Sequence, residues 1–197
     1  MSTPRPRREQ LADAAITVLA ESGLRGLTHR QVDAVADAPL GTTSNHARTR
    51  VALMVLALRR VVELDEASPS LWPSVEAAGR DHGTADAVFT TLALAIHDRV
   101  RESRPRLIAR YELALEATRV PELRVEYDRE GAAIRSRAAG LLSAMGVEDA
   151  PARARVAVAV IDGFLFDAMA GAGSRTPTSA DDLAASLRRS LGGLLLP

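Results

Sequence analysis

The sequence predicts an all-α chain of about nine helices. Three observations lead there. Alanine, leucine and arginine dominate, no run of alternating β-branched residues appears, and apolar residues recur at helical spacing along most of the length. With 197 residues, 47% of them hydrophobic and 25% charged, the chain can bury a self-sufficient core and is not composed like a disordered one.

Each element has its own signals. A first helix is expected over residues 7–22, with Leu11, Ala14, Ala15, Val18 and Leu19 on one stripe and Gly23 as its stop. Thr28 is a good N-cap for a second helix, and Gln31 three residues on completes a capping-box pattern. That helix should turn Val32, Val35 and Ala36 inward and end near Asp37. The turn "DAPL" then leads to a short third helix at 41–46. "TRVALMVLALRRVVELDE" predicts a long fourth helix, apolar nearly all round and therefore packed on several sides. "ASPSLWPSVEAAGRDHG", with Pro69, Pro73, Gly79 and Gly83, is the expected break between the N-terminal unit and the remainder. Five further helices are expected near 84–102, 105–118, 121–145, 149–170 and 179–195, with Pro105 and Pro121 close to helix starts. "GAGSRTPTS" reads as an exposed loop between the last two.

Composition narrows the function classes. The chain has no cysteine, which removes disulfides, thiolate metal sites and cysteine nucleophiles. No segment reaches the roughly 18 uninterrupted apolar residues of a membrane helix, and the basic start "MSTPRPRREQ" is not followed by a signal core. A soluble cytoplasmic protein without a membrane partner is the expectation. Net charge is zero, yet residues 1–60 hold nine arginines against five acids, while the remainder holds 16 against 20. A basic N-terminal part joined to an acidic remainder points to a polyanion partner for the first part only.

Residues 28–50 carry the chemistry. Two short helices joined by a tight turn, with longer helices before and after, have the layout of a helix-turn-helix unit. Its second helix must present a small, polar outward face to the major groove, and "GTTSNH" meets that need. Thr42, Thr43, Ser44 and Asn45 can donate to phosphates or base edges. Arg48 and Arg50, at the start of the next helix, can reach flanking phosphates.

The region resembles the N-terminal domain of the tetracycline-repressor (TetR) family of bacterial transcription regulators. Glu21, Ser22 and Gly23 match the end of that family's first helix, and Thr28 matches the threonine that starts its second. The family pattern glycine-threonine-leucine-tyrosine-x-histidine-phenylalanine-x-x-lysine reads here as Gly41, Thr42, Thr43, Ser44, Asn45, His46, Ala47, Arg48, Thr49 and Arg50, with Leu53 at the usual leucine. "PLGTTSN" is similar to a branch in which serine-asparagine replaces the usual tyrosine pair. The match covers about residues 7–60. It implies a DNA-binding domain at 1–50, a ligand-binding and dimerisation domain at 51–197, and DNA contacts from Thr28, Arg30, Gln31, Thr42, Thr43, Ser44, Asn45, His46, Arg48 and Arg50. Three positions depart from the pattern. Asp37 replaces the turn glycine, and Asp33 the small residue where the two helices approach. Ala47 replaces the aromatic that anchors the recognition helix, a loss of about 2–4 kcal/mol of packing by comparison with large-to-small core changes.

The remainder should then bind a small molecule and a second copy. In "ARVAVAVIDGFLFDAMAGA", Val156, Val160, Gly163, Phe164 and Ala168 lie along one side. In the final helix Leu183, Leu187, Leu191 and Leu195 repeat every four residues. Two such stripes per subunit would make a four-helix interface in a homodimer reading half-sites roughly 34 Å apart. The alternative is that both stripes face the subunit's own core. Phe89, Leu92, Ile96, Tyr111, Leu115, Phe164 and Asp167 are the candidate pocket residues, and the scarcity of polar groups in these stripes suggests a largely apolar effector.

A helical enzyme and a protein-binding adaptor without DNA binding are the other readings. No Glu-x-x-His pair, Walker loop, nucleophile elbow or dinucleotide glycine pattern occurs. None of His29, His46, His82 and His97 has a second histidine at metal-helix spacing. Neither catalysis nor a cofactor is expected. An adaptor would not need the basic cluster at 42–50.

Overall fold

The computed structural model describes residues 6–68, 72–80, 85–176 and 178–195. They form α1 (Arg7–Gly26), α2 (His29–Val35), α3 (Thr42–His46), α4 (Arg50–Glu66), α5 (Trp72–Arg80), α6 (Ala85–Glu102), α7 (Arg104–Ala117), α8 (Pro121–Ala144), α9 (Ala150–Met169) and α10 (Ala180–Leu195). No strand occurs among the described residues, in agreement with the expected all-α class. None of these helices is long and apolar enough to cross a membrane. Two compact units result, one from the described residues of Met1–Asp65 with Pro105–Glu130, the other from those of Glu66–Arg104 with Gly131–Pro197.

In the first unit the apolar stripe of α1, Leu11, Ala15, Val18 and Leu19, is buried against Leu53, Met54, Ala57, Leu58 and Val61 of α4. Ala109, Leu113, Ala117 and Leu123 of α7 and α8 belong to the same core. Helical geometry within α1 breaks at Gly23, whose φ of 61° and ψ of −169° suit a residue without Cβ. Thr28 caps α2 as its sequence predicts, its Oγ1 accepting from the Gln31 N–H at 3.2 Å. The inward set of α2 differs from expectation. Val32 is fully buried, but Val35 is 39% exposed and Asp33 takes the inward place at 2%. The cause is polar: α2 needs a carboxylate, not a methyl group, where it meets α3.

Charge pairs fix α4 around this core. The Arg60 guanidinium meets Asp13 at 2.7 Å, Glu63 at 3.3 Å and Glu9 at 3.4 Å. The Asp13 hydrogen bond does most to hold the Arg60 pKa above its ordinary value, against partial burial. Arg59 donates to Glu126 of α8 at 3.0 Å, and that bond lowers the Glu126 pKa despite some burial.

In the second unit α10 lies along α6 and also meets α9, while α5 packs on α6. Helix α5 falls inside the Pro- and Gly-rich stretch expected to be a break. Pro73 sits in its first turn, where a missing N–H costs nothing. Pro69 and Gly83 lie outside the described residues. The expected loop after α9 contains a short 3-10 turn, Ala172–Arg175.

Arg60 makes a direct test of the first unit. Arg60→Ala removes charge-assisted bonds from a side chain only 12% exposed and should cost about 1.5 kcal/mol, read as a lower midpoint in helical-signal thermal melts.

Candidate nucleic-acid interface

The unit at residues 28–50 is organised by one carboxylate. Asp33 Oδ2 accepts from the Gly41 N–H at 2.8 Å. Asp33 Oδ1 accepts from the Thr43 N–H at 2.7 Å and from the Thr43 hydroxyl at 2.5 Å. The N-cap N–H of Gly41 and the first-turn N–H of Thr43, which no helical carbonyl can satisfy, therefore end on a side chain of α2. Burial works to raise the Asp33 pKa. The Thr43 hydroxyl, the Thr43 and Gly41 N–H groups and nearby His29 outweigh it, and the carboxyl titrates below its ordinary range.

The other end of α3 is held by the backbone around Ala47. The Ala47 N–H donates to Thr43 O at 2.8 Å, and its carbonyl accepts from His29 Nε2 at 2.6 Å. A carbonyl only accepts, so the ring proton lies on Nε2. Ala47 itself is 2% exposed. Polar ties thus hold α3 at both ends, with Ala47 in the place of the family's aromatic. At the turn, Asp37 adopts φ 47° in place of glycine, and Gly41 has φ 91° as N-cap of α3.

The sequence-predicted DNA contacts divide. Thr28, Arg30, Gln31, Ser44, Asn45, His46 and Arg48 are exposed, and Thr42 is half-buried with its hydroxyl donating to Pro39 O at 2.6 Å. Two further residues of that set are already engaged within the fold. Thr43 is fully buried and its hydroxyl is committed to Asp33, so it holds the helix and cannot read a base. The Arg50 guanidinium donates to Leu27 O at 2.8 Å and also to Leu24 O, so it clamps the α1–α2 turn. Asp33 is the residue joining α2 to α3 that the motif did not reveal. Its signal was an acid in the inward stripe between Val32 and Ala36.

The same turn is gripped from α7, where Glu112 Oε2 accepts from the Leu24 N–H at 3.3 Å. One backbone segment is thereby tied to α4 through its carbonyls and to α7 through its N–H.

The effector and partner residues fare unevenly. Phe89, Leu92 and Ile96 are buried in α6, and Phe164 is half-buried in α9. Tyr111 is half-buried in the first unit. Leu115 is 61% exposed and does not line an interior. Asp167 is exposed and accepts from the Gly173 N–H at 3.2 Å, closing the turn after α9. Val156 and Gly163 are exposed on α9, while Val160 and Ala168 are half-buried. In α10, Leu183, Leu187 and Leu191 are at most 7% exposed within their own chain. Within the chain that stripe is buried where α10 packs on α6. The side chain of Leu195 lies outside the described residues.

Asp33 gives a signed pH expectation. A carboxyl whose pKa is lowered by folding contributes stability that is complete above about pH 4, the ordinary aspartate value, and is lost as pH falls through the lowered one. Asp33→Asn places a donor opposite N–H groups and should cost about 2 kcal/mol in urea unfolding at neutral pH. The variant should also lose less stability than the wild type between about pH 4 and pH 2.

Comparison with known proteins follows the fold closely. Residues 83–195, more than half of the chain, match the family model described as "Tetracyclin repressor-like, C-terminal domain". A transcriptional regulator from Rhodococcus sp. Rha1 is 24% identical with a TM-score of 0.75, covering 95% of each chain. A TetR-family member from Streptomyces coelicolor A3 is 31% identical with a TM-score of 0.67, over 94% of this chain and 98% of that one. The multidrug binding protein EbrR, solved in complex with imidazole, is 31% identical with a TM-score of 0.68, over 94% and 95%. Further EbrR structures hold proflavin, ethidium and malachite green. No curated protein matches the chain in sequence.

Proposed function

Since the chain belongs to the tetracycline-repressor-like family, we propose that it is a transcriptional repressor that binds a palindromic operator as a homodimer and leaves it when a small, largely apolar effector binds. Residues 1–50 are the DNA-binding domain in this reading, and 51–197 the ligand-binding and dimerisation domain. The observation that carries it is the exposed polar face of Thr28, Arg30, Gln31, Ser44, Asn45, His46 and Arg48 around a short helix held by Asp33. A helix so fixed loses little further freedom when it enters a groove. Thr42, half-buried with its hydroxyl on Pro39 O, stands at the same helix start.

The effector is read from the second unit, where Val88, Phe89, Leu92, Ala93 and Ile96 make α6 apolar on its buried side. EbrR supports a small aromatic molecule, because the compounds in its structures all carry rings. Coupling to DNA would run through the α1–α2 turn, where α7 reaches the backbone through Glu112 and α4 through Arg50. The partner surface is the α9 face with Val156 and Phe166, each 47% exposed, beside Val160, Gly163, Phe164 and Ala168.

An electrophoretic shift with duplex DNA from the protein's own upstream region tests the reading. Salt-sensitive retardation is expected, and its absence at every protein concentration sinks the proposal. Arg48→Ala should weaken binding to all sequences alike and reduce the salt slope by about one. Changes at Ser44 or Asn45 should alter base preference, whereas Arg50→Ala should lower the melting midpoint even without DNA.

A further inference from the structure

Leu40 is 80% exposed, the most exposed of the large apolar side chains among the described residues. It is not on a loose loop. Pro39 O accepts from the Thr42 N–H at 3.1 Å and from the Thr42 hydroxyl at 2.6 Å, closing a four-residue turn with Leu40 at its second position. The third position, Gly41, has φ 91° and ψ −6°, the conformation a type II turn demands there. The Gly41 N–H is fastened to Asp33 at 2.8 Å. A Cβ on Gly41 would meet nothing within 4 Å, so the space beside the leucine is open. A branched apolar side chain is thus held out by a turn fixed at both ends, immediately before the reading helix.

We propose that Leu40 is a specificity residue that packs on the C5-methyl group of a thymine in the operator. The inference rests on the DNA-binding reading above and deepens it. A recognition helix enters the major groove with its N-terminal residues on the base edges, and Leu40 stands out from the turn two residues ahead of Thr42, at that end of α3. The groove offers one apolar group on its base edges, the thymine methyl. A leucine there cannot donate or accept, so it favours thymine over cytosine, which lacks the methyl. It also disfavours bases whose polar edge it would leave without a partner. The turn hydrogen bonds mean that little ordering of Leu40 opposes the contact.

The test uses the full chain and a randomised duplex pool. Bound duplexes are selected and sequenced, and the preferred site is resynthesised with uracil replacing each thymine in turn, which deletes only the methyl group. For the wild type, one replacement should weaken binding about fourfold, the worth of burying one methyl-sized group. Leu40→Ala should bind the thymine and uracil duplexes equally, with unchanged helical content, since the side chain supports no packing in the fold. Leu40→Gln should move the selected base toward adenine. A preferred site without thymine, tolerance of uracil at every position, or undiminished uracil sensitivity in Leu40→Ala each overturns the assignment while leaving DNA binding standing. If no duplex is retained at all, the DNA-binding reading itself fails and this inference falls with it.

Discussion

A buried carboxylate shared between two short helices is the constraint on which the candidate interface depends. Helices of seven and five residues, α2 and α3, are too short to hold themselves. Their mutual geometry must come from tertiary ties, and Asp33 supplies three of them to Gly41 and Thr43. Desolvating the charge is costly, and only a full set of donors makes the arrangement favourable. Because those donors lie at the N-cap and in the first turn of α3, and the Thr42 N–H ends on Pro39 O, the positive end of that helix is largely answered from inside the protein. In the proposed DNA-binding role, attraction to the polyanion would then fall to side chains such as Arg30 and Arg48, which are exposed.

Around that joint the protein relies on ordinary core packing. Leu11, Leu19, Leu53 and Leu58 are fully or almost fully buried, and the Arg60 cluster ties α1 to α4 at the edge of the same core. The α1–α2 turn lies between the two regimes. Its carbonyls serve α4 and its N–H serves α7, so a displacement of either helix is felt by the backbone leading into α2.

Most of the helices were legible because periodic apolar residues, caps and prolines act locally. Gly23, Thr28 and Gly41 each play the part that their residue type suggests. What escaped was set by tertiary partners. Asp33 and Thr43 are ten residues apart, and nothing local distinguishes a buried threonine that donates to a carboxylate from the exposed Ser44 beside it. Arg50 resembles Arg48 in sequence, and only the folded turn places two carbonyls in its reach. Helix α5 was hidden because a proline in a first turn and a proline in a loop look alike. A leucine every four residues fits a subunit's own core and a partner's face equally well, so periodicity alone could not assign α10.

That last stripe has a consequence for assembly. Leu183, Leu187 and Leu191 satisfy their apolar surface inside one chain, where α10 lies along α6. Any association through the outer face of α9 would therefore join bodies that are already folded. Subunits of this kind can part on dilution and re-pair without unfolding. Exchange between copies, or with a similar chain bearing a matching α9 face, then becomes a question of surface fit and concentration, with no refolding barrier in the way.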